Sequence, residues 1–280
     1  MNRQHNISIV VFLLISVCSV AQWFPELSRK GDVFASWGWN RAMYTNSDIH
    51  FKGATYDFTL QNVAATDRQT QFKADTYFGL TTMTIPQTNM RFGYFLSDHL
   101  AFTVGVDHMK YVMVQFQKVK FEGSIDDPTY ANMVQDGNIV LTPNFLTFEH
   151  TDGLNYLNAE LEYHTGIYHT KHIQLNAFGA AGAGALMPKS NVKLMGYPRN
   201  DQFHLAGIGT DVKVGFELLF WKHFFLRYEG KLGYINMPSI VTRMASIDDR
   251  ASQQFCFAAM DGMFGFNFKL NKNPAKTTTE

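Results

Sequence analysis

Apolar and polar residues alternate along most of this chain with a period of two. In the segment 211–219, Val212, Val214, Phe216 and Leu218 alternate with Asp211, Lys213, Gly215 and Glu217. After a short turn at 220–223 the pattern resumes. Phe224, Leu226, Tyr228, Leu232 and Tyr234 alternate with Arg227, Glu229, Lys231 and Gly233. Successive side chains of a strand point to opposite faces, so each segment has one apolar and one charged face.

The same pattern recurs. Met90, Phe92, Tyr94 and Leu96 face away from Asn89, Arg91 and Gly93. Leu100, Phe102, Val104 and Val106 oppose Thr103, Gly105 and Asp107. Leu157, Ala159, Leu161 and Tyr163 oppose Asn158, Glu160, Glu162 and His164. Ile173, Leu175 and Ala177 oppose Gln174 and Asn176. A first strand sets Val33, Ala35, Trp37 and Trp39 against Ser36, Gly38 and Asn40. A last one sets Met260, Phe264, Phe266, Phe268 and Leu270 against Asp261, Asn267 and Lys269.

Short connections at 97–99, 165–171 and 220–223 alternate with long ones at roughly 46–86, 117–152, 186–203 and 238–253. This predicts an all-β fold, a transmembrane antiparallel up-and-down β-barrel of eight strands. Short periplasmic turns lie at one end and four long extracellular loops at the other. A soluble lipocalin-like barrel or sandwich shows the same alternation with the opposite sense, apolar inside. Three features favour the membrane sense. Aromatic residues such as Trp39, Tyr94, Tyr163 and Tyr234 stand near strand ends on the apolar face. The opposite face carries glycines and charges of both signs. The final MFGFNFKL stretch resembles the C-terminal signal read by the outer-membrane assembly machinery, although it does not end the chain and has Met263 where a polar residue is usual.

The first residues agree with export. Arg3 precedes the apolar run Ile7 to Val20, which is short for a bilayer span, and Ser19 and Ala21 suit a signal peptidase. The expected organisation is a signal peptide at 1–21, an N-terminal periplasmic segment at 22–32, the barrel at 33–270 and a disordered periplasmic tail at 271–280. A lipoprotein signal at Cys18 is the rival reading, and Val17 is large for that site. Composition changes this picture little. The 24 basic and 24 acidic residues balance, so charge gives no argument for nucleic acid. Aromatics at 15% suit a lipid-facing surface. After cleavage Cys256 would be the one remaining cysteine, which leaves no internal disulfide, and no metal or cofactor motif stands out.

The chain resembles the small outer-membrane β-barrel proteins of Bacteroidota. The segments that carry the resemblance are KGDVFASWGWNRAMYTNSDIHFKGATYDFTL, MTIPQTNMRFGYFLSDHLAFTVGVDHMKY, FEHTDGLNY and KLGYINMPSI. The resemblance implies an eight-stranded barrel similar to the OmpA or OmpW type in the outer membrane of a Gram-negative bacterium. It implies no reaction.

Candidate chemistry falls into four groups. Parity sends Arg91, Glu160, Glu162, Asp211, Lys213, Glu217, Arg227, Glu229, Lys231 and Asp261 into the lumen. They form either a salt-bridged plug or an ion path. An eight-stranded barrel is just wide enough for its own side chains, which favours the plug. Arg41, His108 and Lys110 fall on the outward face near the loop ends, where a rim could meet lipopolysaccharide phosphates, or where long side chains simply snorkel. Catalysis of the lipid A acyl-hydrolase type has its best local cluster in His150, Thr151 and Asp152, joined by Asp48, His50 and Asp57. No His-x-Ser-Asn run is present, and His150 with Asp152 reads more simply as a turn-stabilising pair. His169 and His172 flank a turn and read as solvated. Finally, YDFTLQNV at 56–63 and NFLTFEH at 144–150 are strand-like segments inside the long loops. They suit a binding role for a ligand or an outer-membrane protein partner.

Overall fold

The computed structural model describes residues 28–79, 81–82, 85–243 and 248–270. The expected signal peptide and the tail 271–280 lie outside the described residues. Eight antiparallel strands close into a ring: β1 (Asp32–Tyr44), β5 (Thr88–Phe95), β6 (Leu100–Met113), β9 (Leu146–His169), β10 (Ile173–Leu186), β13 (Gly207–Phe220), β14 (Phe224–Val241) and β15 (Arg250–Lys269). Each pairs with its neighbours in that order, and β15 pairs back onto β1 from Asp32↔Lys269 to Tyr44↔Phe257. The ring removes every free edge at this level, which a spanning sheet requires because lipid cannot hydrogen-bond an unpaired strand.

Polarity along the strands tells where the membrane lies. On the outward face of β14, Leu226, Tyr228, Leu232 and Tyr234 are exposed, and Asn236 follows. On its inward face Arg227, Glu229 and Lys231 are buried, and then Ile235 and Met237. The other strands repeat the exchange. Outward Phe268, Phe266 and Met260 of β15 give way to Cys256, Gln254 and Ser252, while inward Asp261 gives way to Phe257 and Phe255. Outward Phe102, Val104 and Val106 of β6 give way to His108, and inward Thr103 and Asp107 to Met109 and Tyr111. The lower storey is therefore apolar outside and charged inside. The upper storey is polar outside and apolar inside. Val214 is 69% exposed and Phe92 is 54% exposed in the lower belt, which water would not tolerate as one continuous surface. The molecule is an outer-membrane-type β-barrel.

The upper storey contains what the sequence presented as long loops. The first, at 46–86, folds into the hairpin β2 (Ser47–Gly53) and β3 (Tyr56–Val63) and the short β4 (Ala65–Thr66). β2 pairs with the upper part of β15, extending the sheet, and β3 adds β7 (Lys118–Ile125) and β8 (Asn138–Val140). β9 begins at Leu146 and carries β11 (Lys189–Leu194) and β12 (Asn200–Phe203) on its upper part. Their inward residues, among them Phe51, Phe58, Leu60, Phe145, Phe148 and Val192, form one apolar core above the lumen. The turn expected at 165–171 is shorter, because β9 runs to His169 and Ile173 already belongs to β10.

A prediction follows from the two-storey polarity. Val214→Arg places a charge in the lipid belt and should cost about 2–4 kcal/mol, whereas Gln254→Arg above the inversion level should be near neutral. Unfolding in urea, followed by heat-modifiable gel mobility, reads the difference.

Candidate functional site

Charged side chains fill the lower lumen because parity leaves them no other place and closure leaves them no solvent. The layers run upward from the periplasmic end. Phe34, Phe95, Ala101, Leu219 and Phe225 form a small apolar floor. Through it rises Arg29, which stands outside any strand. Its guanidinium lies 3.9 Å from the Phe95 ring centroid and 2.9 Å from Glu217 Oε1. The β5–β6 turn at 97–99 holds it there. Asp98 accepts from the Arg29 and Lys30 backbone N–H groups at 2.8 and 3.0 Å and from the Ser28 hydroxyl at 2.9 Å. Those three donors, the Lys30 N–H foremost, hold the Asp98 carboxyl below the usual range.

Above the floor, Arg227 bridges two carboxylates. It donates to Glu217 Oε2 at 2.9 Å and to both oxygens of Glu162 at 3.2 Å. Its guanidinium lies 4.5 Å from the Phe178 ring. Glu217 and Arg227 are register partners across the β13–β14 hairpin, as their spacing around the turn predicts. Lys213 then reaches Glu160 at 2.6 Å, Glu162 at 2.8 Å and Glu229 at 3.4 Å. The top layer joins Lys231 to Asp107 at 2.7 Å and to Glu160 at 2.8 Å, and Arg91 to Asp107 and Glu160. Asp211 accepts from the Tyr156 hydroxyl at 2.6 Å. Asp261 lies in register with Glu229 and is 1% exposed. Room for these side chains comes from the inward glycines. A Cβ on Gly182 would sit 2.6 Å from Glu160 Cγ, and one on Gly105 2.5 Å from Arg91 Cδ.

All the lumen residues named from the sequence are thus brought together and buried. The alternation set Asp107, Asn158 and His164 on the polar face but not in the charge network, and Arg29 and Tyr156 were not among the lumen residues it gave. Asp107 shares the parity of Thr103 and Gly105, so the signal for it was present. Arg29 had none, because no periodicity covers it. Each of the cations Arg29, Arg91, Lys213, Arg227 and Lys231 reaches at least one carboxylate, whereas Asp261 is buried with neither of its carboxylate oxygens hydrogen-bonded. The arrangement is a plug, with an apolar storey above it.

The outward trio is divided. Arg41 is exposed at the inversion level. His108 is engaged with Asn155 at 2.8 Å. Lys110 faces outward as expected, but it is only 8% exposed, with its ammonium on Thr70 Oγ1 at 3.1 Å and on the Ile85 carbonyl at 2.7 Å. Of the three, Arg41 alone is exposed, because Thr70 and Ile85 engage Lys110 and Asn155 engages His108.

The His150 cluster does not assemble. His150 lies inside β9, not at a turn, and is fully buried between the rings of Tyr111 and Phe148. Asp152 faces outward to Lys189 at 2.9 Å. The two are separated by an irregularity in the β6–β9 register, where Gly153 has φ +124°. His50 and Asp57 do pair, at 2.7 Å, on the exposed face of the β2–β3 hairpin. Among the described residues no group of three or more His, Cys, Asp or Glu side chains is placed to hold a metal.

No family model matches the chain, and no curated protein matches it. Solved structures with a similar strand arrangement include Ail, the attachment invasion locus protein of Yersinia pestis, at 11% identity, 85% of this chain, 99% of that chain and a TM-score of 0.31. The outer membrane protein OprG of Pseudomonas aeruginosa is 12% identical over 86% of this chain and 97% of its own, with a TM-score of 0.37. Neisserial surface protein A is 10% identical over 87% and 100%, with a TM-score of 0.35. Scores this low add nothing to the assignment, which rests on the strand ring and its polarity.

Two predictions test the interior. Arg227→Met leaves Glu162 and Glu217 without their bridging cation and should destabilise by about 3–5 kcal/mol. Adding Glu162→Gln and Glu217→Gln should recover part of that loss in the same urea titration. The second concerns His150 in the upper storey. Burial, with His204 nearby, lowers its pKa to about 3. The unfolded chain therefore binds a proton near pH 6.5 that the folded chain refuses. Stability should be unaffected above that value and fall by about 1.4 kcal/mol per pH unit from roughly 6.5 toward 3. His150→Phe should flatten the pH dependence of the melting temperature in that window. An unchanged slope would contradict the burial of a neutral imidazole.

Proposed function

We propose that this protein is a non-enzymatic barrel of the Gram-negative outer membrane that acts as a scaffold for its extracellular storey. That storey has a structural, adhesive or binding role, toward an external ligand or as an accessory subunit beside another outer-membrane protein. The observation that carries the reading is the division of the interior. A salt-bridged plug fills the membrane level, and an apolar core with ordered sheets stands above it. A pore needs a continuous polar path, and the buried ion pairs of the lumen with the apolar core above them speak against one. Ordered, sheet-forming loops of this length are more often functional than passive, and paired strands give a rigid surface for recognition. Outer-membrane lipids, including lipopolysaccharide near Arg41, surround the barrel, and the assembly machinery acts during its insertion.

Purified protein in planar bilayers should give no stable conductance. Gentle detergent extraction should co-purify a partner if the storey serves a complex. Reproducible single-channel steps would overturn the closed-barrel reading. An altered acyl pattern in lipid A between wild-type and deletion strains would replace it with acyl hydrolysis.

A further inference from the structure

One part of the barrel wall is not made by a barrel strand. β5 stops at Thr88, whereas its neighbours β1 and β6 continue upward to Tyr44 and Met113. β1 pairs with β5 only from Val33 to Trp39, so a window opens between the upper parts of β1 and β6. Residues 67–79 and 85–87 cross that window from outside. Asp67 Oδ2 accepts from the Ala42 N–H at 3.1 Å, and the Gln87 carbonyl accepts from the Asn40 N–H at 3.3 Å. Lys110, at the far side of the window, clasps Thr70 and Ile85. The helical turn α1 (Ala74–Phe78) rests on Trp39, with ring centroids 5.8 Å away at Tyr77 and 5.3 Å at Phe78.

Three apolar side chains of this segment keep much of their surface exposed. Phe72 is 69% exposed, Phe78 59% and Ile85 50%. They continue the lipid-facing belt, because Trp39 and Trp37 stack beside Phe264 of β15 at 6.3 and 5.4 Å. Aromatic rings at this level sit well at the boundary between acyl chains and headgroups, and exposed apolar groups in a row mark a contact surface. We infer that residues 67–79 with 85–87 form a strap that lies in the outer leaflet, presents Phe72, Phe78 and Ile85 to lipid acyl chains, and completes the wall that β5 leaves short. The inference rests on the membrane reading of the barrel. It adds a membrane contact that no strand supplies, and it gives Lys110 the role of a clasp.

Single cysteines at positions 72, 78 and 85, with Cys18 and Cys256 replaced by serine, carry a nitroxide label in phosphatidylcholine vesicles. Val214→Cys in the belt and Ser124→Cys in the upper storey serve as lipid and water references. Heat-modifiable mobility confirms that each variant has folded. The ratio of collisions with oxygen to collisions with a water-soluble nickel chelate should match position 214. A ratio like that at position 124 overturns the strap. Low collision with both reagents, together with spin–spin broadening, also overturns it by showing a second protein copy on this surface. A water-like ratio at position 214 itself would instead reject the barrel's placement.

Discussion

Closing eight strands into a ring decides nearly everything else in this molecule. The ring leaves an interior only as wide as the side chains that fill it. Lipid outside accepts no charge, so the charged residues of the membrane-level strands enter that narrow space, where most of them find partners and Asp261 is buried without one. Lys213 shows the result. It sits among Glu160, Glu162 and Glu229, which belong to two other strands, and none of these groups is more than 3% exposed. A buried charge is tolerated only when paired, and removal of one partner leaves the other exposed to a low-dielectric surrounding. The network is thus a consequence of closure first, and its members are coupled through shared carboxylates.

The same strands obey the opposite rule a few residues higher. Above Asn236, His108 and Gln254 water replaces lipid everywhere but beside the strap, and the inward positions become Ile235, Met109 and Phe255. No strand changes its parity to achieve this. The chain exchanges the kinds of residue at fixed inward and outward positions, so one continuous sheet serves two solvents. The upper storey can then gather extra strands from the loops, because it has water around it and an apolar core within it. A binding surface built in this way is held by the same strands that anchor it in the membrane.

Much of the lower storey was legible in the sequence. Alternation in 211–234 places Glu217 and Arg227 on one face and brackets the turn between them, and the structure pairs them directly. The upper storey was harder to read. Segments such as 56–63 look like strands, but which strand each joins depends on tertiary pairing that periodicity does not encode. β2 adds to β15, some 200 positions away in the chain. Arg29 was invisible because it enters the lumen from a turn. Lys110 was placed on the correct face, but the segment that covers it is irregular. His150 was read with Asp152 as a turn-stabilising pair, because a histidine two residues from an aspartate suggests a turn, whereas Tyr111 and Phe148 enclose it.

Everything above turns on a packed membrane storey whose polarity is inverted relative to the storey above it. Cysteine substitutions along β14 from Leu226 to Met237, each challenged in vesicles with a membrane-impermeant maleimide, test it most directly. Labelling is expected at Asn236, with protection at Leu226, Tyr228, Leu232 and Tyr234 by lipid and at Glu229 and Lys231 by the packed interior. Rapid labelling at Glu229 or Lys231 in folded protein would mean that water reaches the lumen, and would contradict it.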